Sequence, residues 1–388
     1  MRVVMLILEY HPITGGAQRQ IAAVAPLLCA AGVAVEVWTR AVPGLPGFER
    51  IAGVPVHRLG RAGAFASARF AAAACARLLR SRPDVLHAYS LFSPAAVALL
   101  ARRVLGVPTV VKVLRGGNLG DAVRLRHKPF GAQRAAALAR GIDRFVSISG
   151  EIDGELDALG VPAARRCAIP NGVDTNRFRP AEPRARAALR ARLGLPDAPL
   201  AIYAGRLVPE KCVDGLLAAW ALVTRTHPDA TLAVLGSGPC EPALRRAAPP
   251  GVRFLGDVDD VAPHLRAADL FVLPSRTEGL SNALLEAMAT GIAVVATAVG
   301  GAVDLIEDGE NGRLVPADDR EALAGALASL LADGALRQQL GARARARVLA
   351  DYALPVVAER LTGLYRDLGA SRRRALGSAP RACARGGS

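Results

Sequence analysis

The chain has 388 residues, 52% of them apolar, which is enough for two domains that each bury a core. Only 4% of the residues are aromatic, which argues against base-stacking platforms for nucleic acid. Six cysteines are scattered without a CxxC or CxH pair, so zinc and redox motifs are disfavoured and a reducing cytosol is indicated.

The net charge of +15 comes mainly from the first half of the chain. Residues 1–180 hold 24 Lys and Arg against 11 Asp and Glu, whereas residues 181–388 hold 25 against 23. The arginine preference of a GC-rich genome would raise the arginine content of both halves equally. It does not explain why Asp and Glu are scarce in the first half only. A basic first half predicts an anionic partner there: a membrane surface, a lipid-phosphate acceptor or nucleic acid.

Short apolar runs alternate with alanine-rich amphipathic segments along the first half. This alternation predicts a parallel sheet covered by helices. The expected strands are Val3–Leu8, Val33–Thr39, Val56–Leu59, Val85–His87, Thr109–Lys112 and Phe145–Ser147, with helices that include Ala17–Ala30, Phe65–Leu79 and Ala95–Leu105.

The second half repeats this plan, so the expected fold class is α/β, with two Rossmann-like doubly wound parallel-sheet domains. The strands expected here are Leu200–Ala204, Thr231–Leu235, Val252–Leu255, Leu270–Leu273 and Ile292–Ala296, and the helices include Val213–Thr226, Glu241–Ala248 and Asn282–Thr290.

The domain boundary is expected between residues 170 and 199, a proline-rich stretch that begins with the turn Asn171–Gly172. We therefore predict an N-terminal domain over 1–180, a C-terminal domain over 181–352, a helix over 353–370 that can cross back to the first domain, and a disordered basic tail over 371–388. The apolar run Val3–Leu8 is too short for a signal sequence, so the expected location is cytoplasmic.

Two motifs follow strands, where open parallel sheets bind their ligands. Gly15–Gly16 precedes a helix and lets backbone approach an anion at the helix N-terminus, the alternative being a plain tight turn. Arg206 and Lys211 flank a loop-to-helix junction and can converge on a phosphate, the alternative being ordinary surface charge. The pattern at Gly15 is not GxGxxG, which argues against a dinucleotide fingerprint.

The segment from Ser275 to Glu286 is the most informative stretch of the chain. Its helix is expected to begin at Ser281 or Asn282, both good cap residues, which leaves the N–H groups from Gly279 through Leu280 to Asn282 free for phosphate or sugar oxygens. Glu286 lies one turn inside an otherwise apolar helix, where a carboxylate needs hydrogen-bond donors such as a ribose diol. The alternative is an exposed glutamate on an amphipathic helix.

With these motifs in place, the chain resembles the family 4 glycosyltransferases, which have the GT-B fold of two Rossmann-like domains facing a central cleft. The resemblance covers nearly the whole length, and the motifs are specific as an ordered set rather than singly. They are Gly15–Gly16, IPNGVDTNRF at 169–178, Gly205–Arg206 with Glu210–Lys211, GSG at 236–238, and Glu278 and Glu286 followed by AMATG at 287–291.

The resemblance implies a retaining transfer of a hexosyl group from a nucleotide-diphosphate sugar, with UDP favoured over GDP, to a glycan or lipid-linked acceptor in cell-surface polysaccharide synthesis. Arg206 and Lys211 would hold the diphosphate, Glu278 the sugar and Glu286 the ribose. The implied donor-binding residues are Gly15, Gly16, Arg206, Lys211, Gly236, Gly238, Val258, Glu278, Gly279, Leu280, Ser281, Asn282 and Glu286.

Neither a metal nor a cofactor besides the nucleotide sugar is expected. Two charge-assisted hydrogen bonds and a helix N-terminus supply about 5–8 kcal/mol to a departing diphosphate. Asp257-Val-Asp259 matches the DxD pattern of metal-dependent transferases but is interpreted as the loop near the base.

Three further residues bear on the predicted site: one is an additional candidate, and two differ from the residues that the family commonly has. His87 ends its predicted strand, so it is expected to point toward the cleft as a catalytic or acceptor-contacting residue. Arg115 follows a strand after which the family commonly has a histidine, and it is a candidate for phosphate or acceptor binding. Cys212 stands where glycine commonly follows the Glu-Lys pair.

Other functions remain open at this level. A nucleotide-sugar epimerase on the same architecture would interconvert donors without an acceptor. A basic nucleic-acid or anion-binding protein would use the charged first half, but the chain lacks aromatic interleaving and a recognised motif, so no nucleic-acid partner is expected. The charge asymmetry instead favours a peripheral enzyme at an anionic membrane surface.

Overall fold

The structure, a computed structural model, describes residues 1–13 and 15–377. Eight of the described strands form the first sheet: β1 (Arg2–Leu6), β2 (Ala34–Arg40), β3 (Phe48–Ile51), β4 (Val54–Leu59), β5 (Val85–Tyr89), β6 (Thr109–Lys112), β7 (Arg144–Ser147) and β8 (Arg166–Ala168). They lie in the order β3-β4-β2-β1-β5-β6-β7-β8, with β3 antiparallel to β4 and the other neighbours parallel.

Helices cover both faces of this sheet. One face is covered by α1 (Gly16–Ala30), which packs on alternate strand residues such as Val3. The other face carries a helical layer. On α2, Phe70, Ala74 and Leu78 recur every fourth residue, so they form one buried stripe. The layer consists of α2 (Ala66–Arg80), α3 (Ser93–Leu105), α4 (Asp121–Arg126), α5 (Gly131–Gly141) and α6 (Gly150–Ala158).

A second sheet follows the linker helix α7 (Pro183–Arg192). Its strands are β9 (Leu200–Ala204), β10 (Thr231–Leu235), β11 (Val252–Gly256), β12 (Leu270–Leu273), β13 (Ala293–Thr297) and β14 (Arg313–Val315), in the order β11-β10-β9-β12-β13-β14 and all parallel. Its helices are α8 (Val213–Val223), α9 (Glu241–Ala247), α10 (Ala262–Ala267), α11 (Asn282–Thr290), α12 (Ala302–Leu305), α13 (Arg320–Ala332) and α14 (Gly334–Asp351).

The last described helix, α15 (Leu354–Gly377), returns to the first sheet. The Leu354 N–H donates to the Val173 carbonyl at 3.0 Å, and the helix then packs on α1 and β5. Near its end the Arg372 guanidinium donates to the Pro83 carbonyl at 3.0 Å. The expectation of disorder from residue 371 is wrong for 371–377, which are helical, whereas 378–388 lie outside the described residues.

The expected fold class is confirmed: two parallel-sheet α/β domains are present. The strands that the sequence did not predict are β3, β8 and β14, and each lies at the edge of its sheet. They are short and carry charged residues, as edge strands commonly do, so they lack the apolar run on which the prediction depended. Among the described residues, no helix combines the length and apolar character that crossing a bilayer requires.

Candidate active site

The carboxyl edges of the two sheets face each other and touch through their loops. The loop after β6 meets the loop after β12, where a Cβ added to Gly279 would lie 2.6 Å from the Leu114 carbonyl oxygen. Thr277 donates from Oγ1 to the Gly116 carbonyl at 3.4 Å across the same gap. Glycine at 279 therefore lets the backbones of the two domains meet at the floor of the cleft.

Side-chain amides join three of the predicted motifs. Gln20 of α1 donates to the Gly172 carbonyl and accepts from the Gly172 N–H, both at 2.8 Å. Asn282 accepts from Gln20 at 3.2 Å and from Asn171 at 3.1 Å, and it donates to the Gly16 carbonyl at 3.3 Å. The Gly15–Gly16 turn, the Asn171–Gly172 turn and the start of α11 are thus held in one place by amide contacts that the sequence did not reveal.

The start of α11 is a capped helix N-terminus that follows a closely held loop. Ser281 caps the helix by accepting from the Leu284 N–H at 3.3 Å. Gly300 has φ +52°, and a Cβ there would lie 2.1 Å from the Glu278 carbonyl oxygen. The Gly301 N–H donates to the Gly279 carbonyl at 2.7 Å, so the loop from Glu278 to Leu280 is fixed from behind while its N–H groups precede the helix.

Lys211 and Glu278, predicted separately, form a partly buried ion pair in which the Lys211 ammonium donates to Glu278 Oε1. The Ser275 hydroxyl donates to the same oxygen at 2.8 Å. The side chains of Lys211 and Glu278 are 18% and 10% exposed, so this is a partly desolvated cluster at the carboxyl edge of the second sheet. The Ser275 contribution was missed because a serine after a strand carries no distinctive signal.

Arg206 occupies the open side of the same loop. Its side chain is 61% exposed and lies 3.5 Å from Glu210. The Arg276 N–H donates to the Glu210 carbonyl at 3.0 Å, which connects the loop after β9 to the loop after β12. Arg206 is therefore an exposed cation at the rim, whereas Lys211 is a partly buried one that is paired with Glu278.

Glycines bring the loop after β9 against the loop after β10. Gly236 has φ +117°, and a Cβ there would lie 2.0 Å from the Gly205 carbonyl oxygen. At Gly238 the corresponding distance to the Leu207 carbonyl is 2.3 Å. The Leu207 N–H donates to the Ser237 carbonyl at 2.8 Å, so these loops form one surface and tolerate no side chain at either glycine.

The loop after β11 completes this surface. Val258 is half-buried against the core, and Asp257 accepts from the Ser237 hydroxyl at 2.5 Å. In the described part of the chain, no group of three or more His, Cys, Asp and Glu is arranged to hold a metal.

Glu286 is not an exposed glutamate: its side chain is only 12% exposed and faces the first domain. Its carboxylate lies 3.6 Å from the Arg19 guanidinium of α1. Burial raises the pKa of Glu286, while Arg19 and Arg177 oppose that rise. Arg19 was missed by sequence reasoning, although its place one turn after Gly16, on the face that meets α11, was a usable signal.

His87 is placed away from the cleft, so its predicted catalytic or acceptor-contacting role is wrong. β5 continues past it to Tyr89, and the fully buried imidazole faces α15. Its Nδ1 is 2.6 Å from the Tyr365 hydroxyl, and burial together with the nearby Lys112 lowers its pKa to about 3. His87 is a structural contact of the returning helix.

Arg115 and Cys212, the two residues that differ from the family's common pattern, have different surroundings. Arg115 is exposed at the cleft edge of the first domain, as a candidate for anion binding should be. Cys212 has φ 48° and ψ 41°, a left-handed conformation that explains why glycine is common there.

Known proteins are similar to this chain in sequence and in fold. The family described as "Glycosyl transferase 4-like domain" matches residues 15–172, and "Glycosyl transferases group 1" matches residues 198–333. D-inositol 3-phosphate glycosyltransferase of Streptomyces scabiei is 32% identical over 89% of this chain and 86% of its own. The chain therefore belongs to the family 4 glycosyltransferases.

Two other proteins are similar. The GDP-mannose-dependent monoacylated α-(1-6)-phosphatidylinositol monomannoside mannosyltransferase of Corynebacterium glutamicum is 39% identical over 51% of this chain, and the match spans 55% of that protein. Sucrose-phosphate synthase of Thermosynechococcus elongatus superposes with a TM-score of 0.81 at 25% identity, covering 95% of this chain and 99% of that one. The GT-B fold expected from the sequence is thereby confirmed.

Proposed function

We propose that this protein transfers a hexosyl group from a nucleotide-diphosphate sugar to a lipid-linked or glycan acceptor, with retention of configuration and without a metal. The observation that carries the proposal is the cluster of Lys211, Glu278 and Ser275 beside the start of α11. It combines a fixed cation, a carboxylate able to accept sugar hydroxyls and a helix N-terminus suited to phosphate.

Departure of the diphosphate is the demanding step. Lys211 and Arg206 would donate to its oxygens, and the N–H groups at the start of α11 would face the phosphate nearer the sugar. Charge-assisted hydrogen bonds of this kind contribute about 1.5–3 kcal/mol each. Expressed in the transition state, two of them lower the barrier enough for roughly two to four powers of ten in rate, which supports a reaction that needs no metal and no other cofactor.

The configuration at the anomeric carbon is retained if the acceptor attacks the same face of the sugar from which the diphosphate departs. The bond from the anomeric carbon to the phosphate oxygen breaks, the acceptor oxygen bonds to the same face, and the acceptor proton goes to the departing phosphate oxygen. Glu278 is a weak candidate for a covalent nucleophile, because its Oε1 already accepts from both Lys211 and Ser275. A same-face route is therefore favoured over a glycosyl-enzyme.

The sugar and the acceptor are suggested by the relatives. The Corynebacterium protein is named for GDP-mannose, so GDP-mannose becomes the first donor to test, ahead of the UDP-sugars that the sequence favoured. Both curated relatives are named for inositol-bearing acceptors that carry phosphate. The basic N-terminal domain is suited to such an acceptor, and we place the reaction in the cytoplasm in cell-surface glycan synthesis.

A donor screen in the presence of a metal chelator tests the proposal. GDP-mannose, GDP-glucose, UDP-glucose and ADP-glucose are each offered with lipid extract or inositol phosphate as acceptor, and release of nucleoside diphosphate is followed. We expect release from one donor, abolished in Glu278→Ala and strongly reduced in Arg206→Ala. Arg347→Ala is the matched control, because Arg347 also forms an exposed i,i+4 pair but lies on α14.

Three results would contradict the proposal in distinct ways. Donor interconversion without an acceptor would indicate an epimerase. Activity that disappears with the chelator and returns with a divalent ion would exclude the metal-free route. Accumulation of a glycosyl adduct on Glu278, detected by intact-protein mass spectrometry, would replace same-face transfer by a covalent intermediate.

A further inference from the structure

We propose that the helical layer α2–α5 of the N-terminal domain is a docking surface for an anionic lipid bilayer, with Phe65 and Phe130 as its inserting side chains. The inference deepens the proposed function, since a lipid-linked acceptor would be reached at such a surface. It is argued from charge, exposure and topology, and it is tested by binding rather than by activity.

Positive charge greatly exceeds negative charge in the segment that forms this helical layer. Residues 61–141 contain 14 Lys and Arg but only two acids, Asp84 and Asp121. Asp121 is buried, and Asp84 accepts from the Arg2 N–H at 2.7 Å. The cations of the layer therefore have little compensating negative charge of their own, and Arg61, Arg80, Arg103, Arg124, Arg126 and Lys128 are exposed.

Exposed apolar side chains are concentrated on the same layer. Ten large hydrophobic residues are exposed in the described part of the chain, and six of them belong to this layer and the turn that leads into it. A surface that is at once basic and apolar suits the interface of an anionic membrane, where each kind of side chain finds its own environment. The six are Phe65, Leu79, Leu100, Val104, Leu119 and Phe130.

Topology places the two phenylalanines on one rim. α2, α3 and α5 each lead from one strand to the next parallel strand, so their N-termini lie at the same edge of the sheet as the cleft. Phe65 and Phe130 are the residues before α2 and α5, and both have left-handed backbone, with φ 57° and 56°. Their side chains are 80% and 76% exposed, although neither conformation favours a bulky residue.

Nucleic acid is the less suitable partner. With α3 packed between α2 and α5, the two rings are separated by about two helix spacings, roughly 20 Å. Bases that stack on aromatic platforms need rings at far closer intervals. The third aromatic residue of the rim, Phe92 before α3, is only partly buried but lies beneath the Arg124 guanidinium at 5.4 Å. Isolated, protruding phenylalanines amid cations match insertion into a lipid interface instead.

The test is co-sedimentation of the full chain with vesicles of phosphatidylcholine alone or mixed with phosphatidylglycerol or phosphatidylinositol. We expect binding to both anionic mixtures, at least tenfold weaker binding to phosphatidylcholine alone, and a steep loss with added salt. The double variant Phe65→Asn/Phe130→Asn should bind anionic vesicles at least tenfold less. Asparagine tolerates left-handed backbone, so this variant should keep the fold, which circular dichroism verifies.

The matched control is Val303→Asn/Leu349→Asn, which removes the exposed apolar side chains of the C-terminal domain and should leave vesicle binding unchanged. Equal binding by wild type and the Phe variant, or no preference for anionic vesicles, would overturn the proposal. So would tighter binding to single-stranded RNA than to vesicles at the same salt. Donor hydrolysis is measured in parallel, so loss of vesicle binding with retained hydrolysis separates this proposal from the proposed function.

Discussion

The two domains share a fold but hold their cleft-facing loops differently. In the C-terminal domain, Gly236, Gly238 and Gly300 each press a loop after one strand against the backbone of a loop after another. In the N-terminal domain, the tight contacts of Gly120 and Gly131 are with backbone of their own connection between β6 and β7. The loops of the C-terminal domain thus form one surface connected through backbone, whereas those of the N-terminal domain are separate in backbone and joined by side chains such as Gln20.

This difference predicts how far the effect of a substitution spreads within each domain. A substitution in a connected surface disturbs several loops together, whereas a substitution in a separate loop stays local. The N-terminal domain can therefore vary its charge and its exposed side chains, as its basic layer illustrates, without displacing the diphosphate-facing groups. Four substitutions test this contrast, taken from the largest expected effect to the smallest.

Glu278→Gln should have the largest effect on activity. It removes the charge that Lys211 and Ser275 position, and we expect kcat/KM to fall roughly 100-fold, equal to about 2.7 kcal/mol. Steady-state kinetics with the donor identified by the screen measure this. Glu241→Gln replaces a half-buried glutamate of the same domain that is paired with the exposed Arg245, and it should change kcat/KM less than about twofold. A similar fall in both variants would contradict the role of the cluster.

Gly236→Ala should damage the connected surface as a whole. The added methyl meets the Gly205 carbonyl in a left-handed backbone, so we expect a loss of about 2–3 kcal/mol in unfolding free energy and much weaker donor binding. Gly116→Ala in the N-terminal domain meets side chains rather than backbone, namely the Glu151 carboxylate and Ile152 Cγ1 at 3.0 Å, and should cost about 1 kcal/mol. Urea denaturation and donor titration compare the two, and equal costs would refute the contrast.

Tyr365→Phe should cost stability without changing donor turnover. It leaves His87 Nδ1 without its partner in the interior, at about 1–3 kcal/mol. Tyr203→Phe is the matched substitution in the donor loops, because its hydroxyl donates to the Arg206 carbonyl at 3.0 Å, and it should lower activity as well. Urea denaturation and steady-state kinetics are run on both variants, and an unchanged kcat/KM in Tyr203→Phe would argue against a positioned Arg206.

The same histidine makes the returning helix sensitive to acid. Burial lowers the pKa of His87 to about 3, while an unfolded histidine titrates near 6.5. The unfolded chain therefore binds more protons in this range, and the unfolding free energy should fall as the pH drops below about 6.5. Denaturation of wild type and His87→Gln across that range measures it, and an equally steep fall in the variant would assign the effect elsewhere.

Glu286→Gln should have the smallest effect on the free protein, and it should be stabilising. Burial raises the pKa of Glu286 above its unfolded value of about 4.3, so the ionised carboxylate lowers stability at neutral pH. This difference between variant and wild type should vanish as the pH falls below that unfolded value. Donor affinity should fall, because the amide offers a ribose diol one acceptor oxygen in place of two and carries no charge, and unchanged affinity at pH 7 would exclude that contact.

The donor side could be predicted from sequence because its constraints are local. Glycines, Glu278 and Glu286 occur at fixed distances after strands, and a backbone approach permits little else there. The amide contacts of Gln20 and Asn282 could not be predicted, because they join residues far apart in the chain. His87 was misplaced because its strand continues to Tyr89, and a residue within a strand faces a covering layer rather than a cleft.

Both carboxylates assigned to the donor already have cationic partners in the unliganded protein: Glu278 pairs with Lys211, and Glu286 lies near Arg19. An arriving nucleotide sugar would therefore exchange partners rather than fill vacant ones. Under the proposed function, Lys211 would pass from a carboxylate to a phosphate, and Arg19, on the other domain, would be released when a ribose engages Glu286. Donor binding would then break two ion pairs within the protein, Lys211 with Glu278 and Arg19 with Glu286. Both pairs would form again when the product leaves.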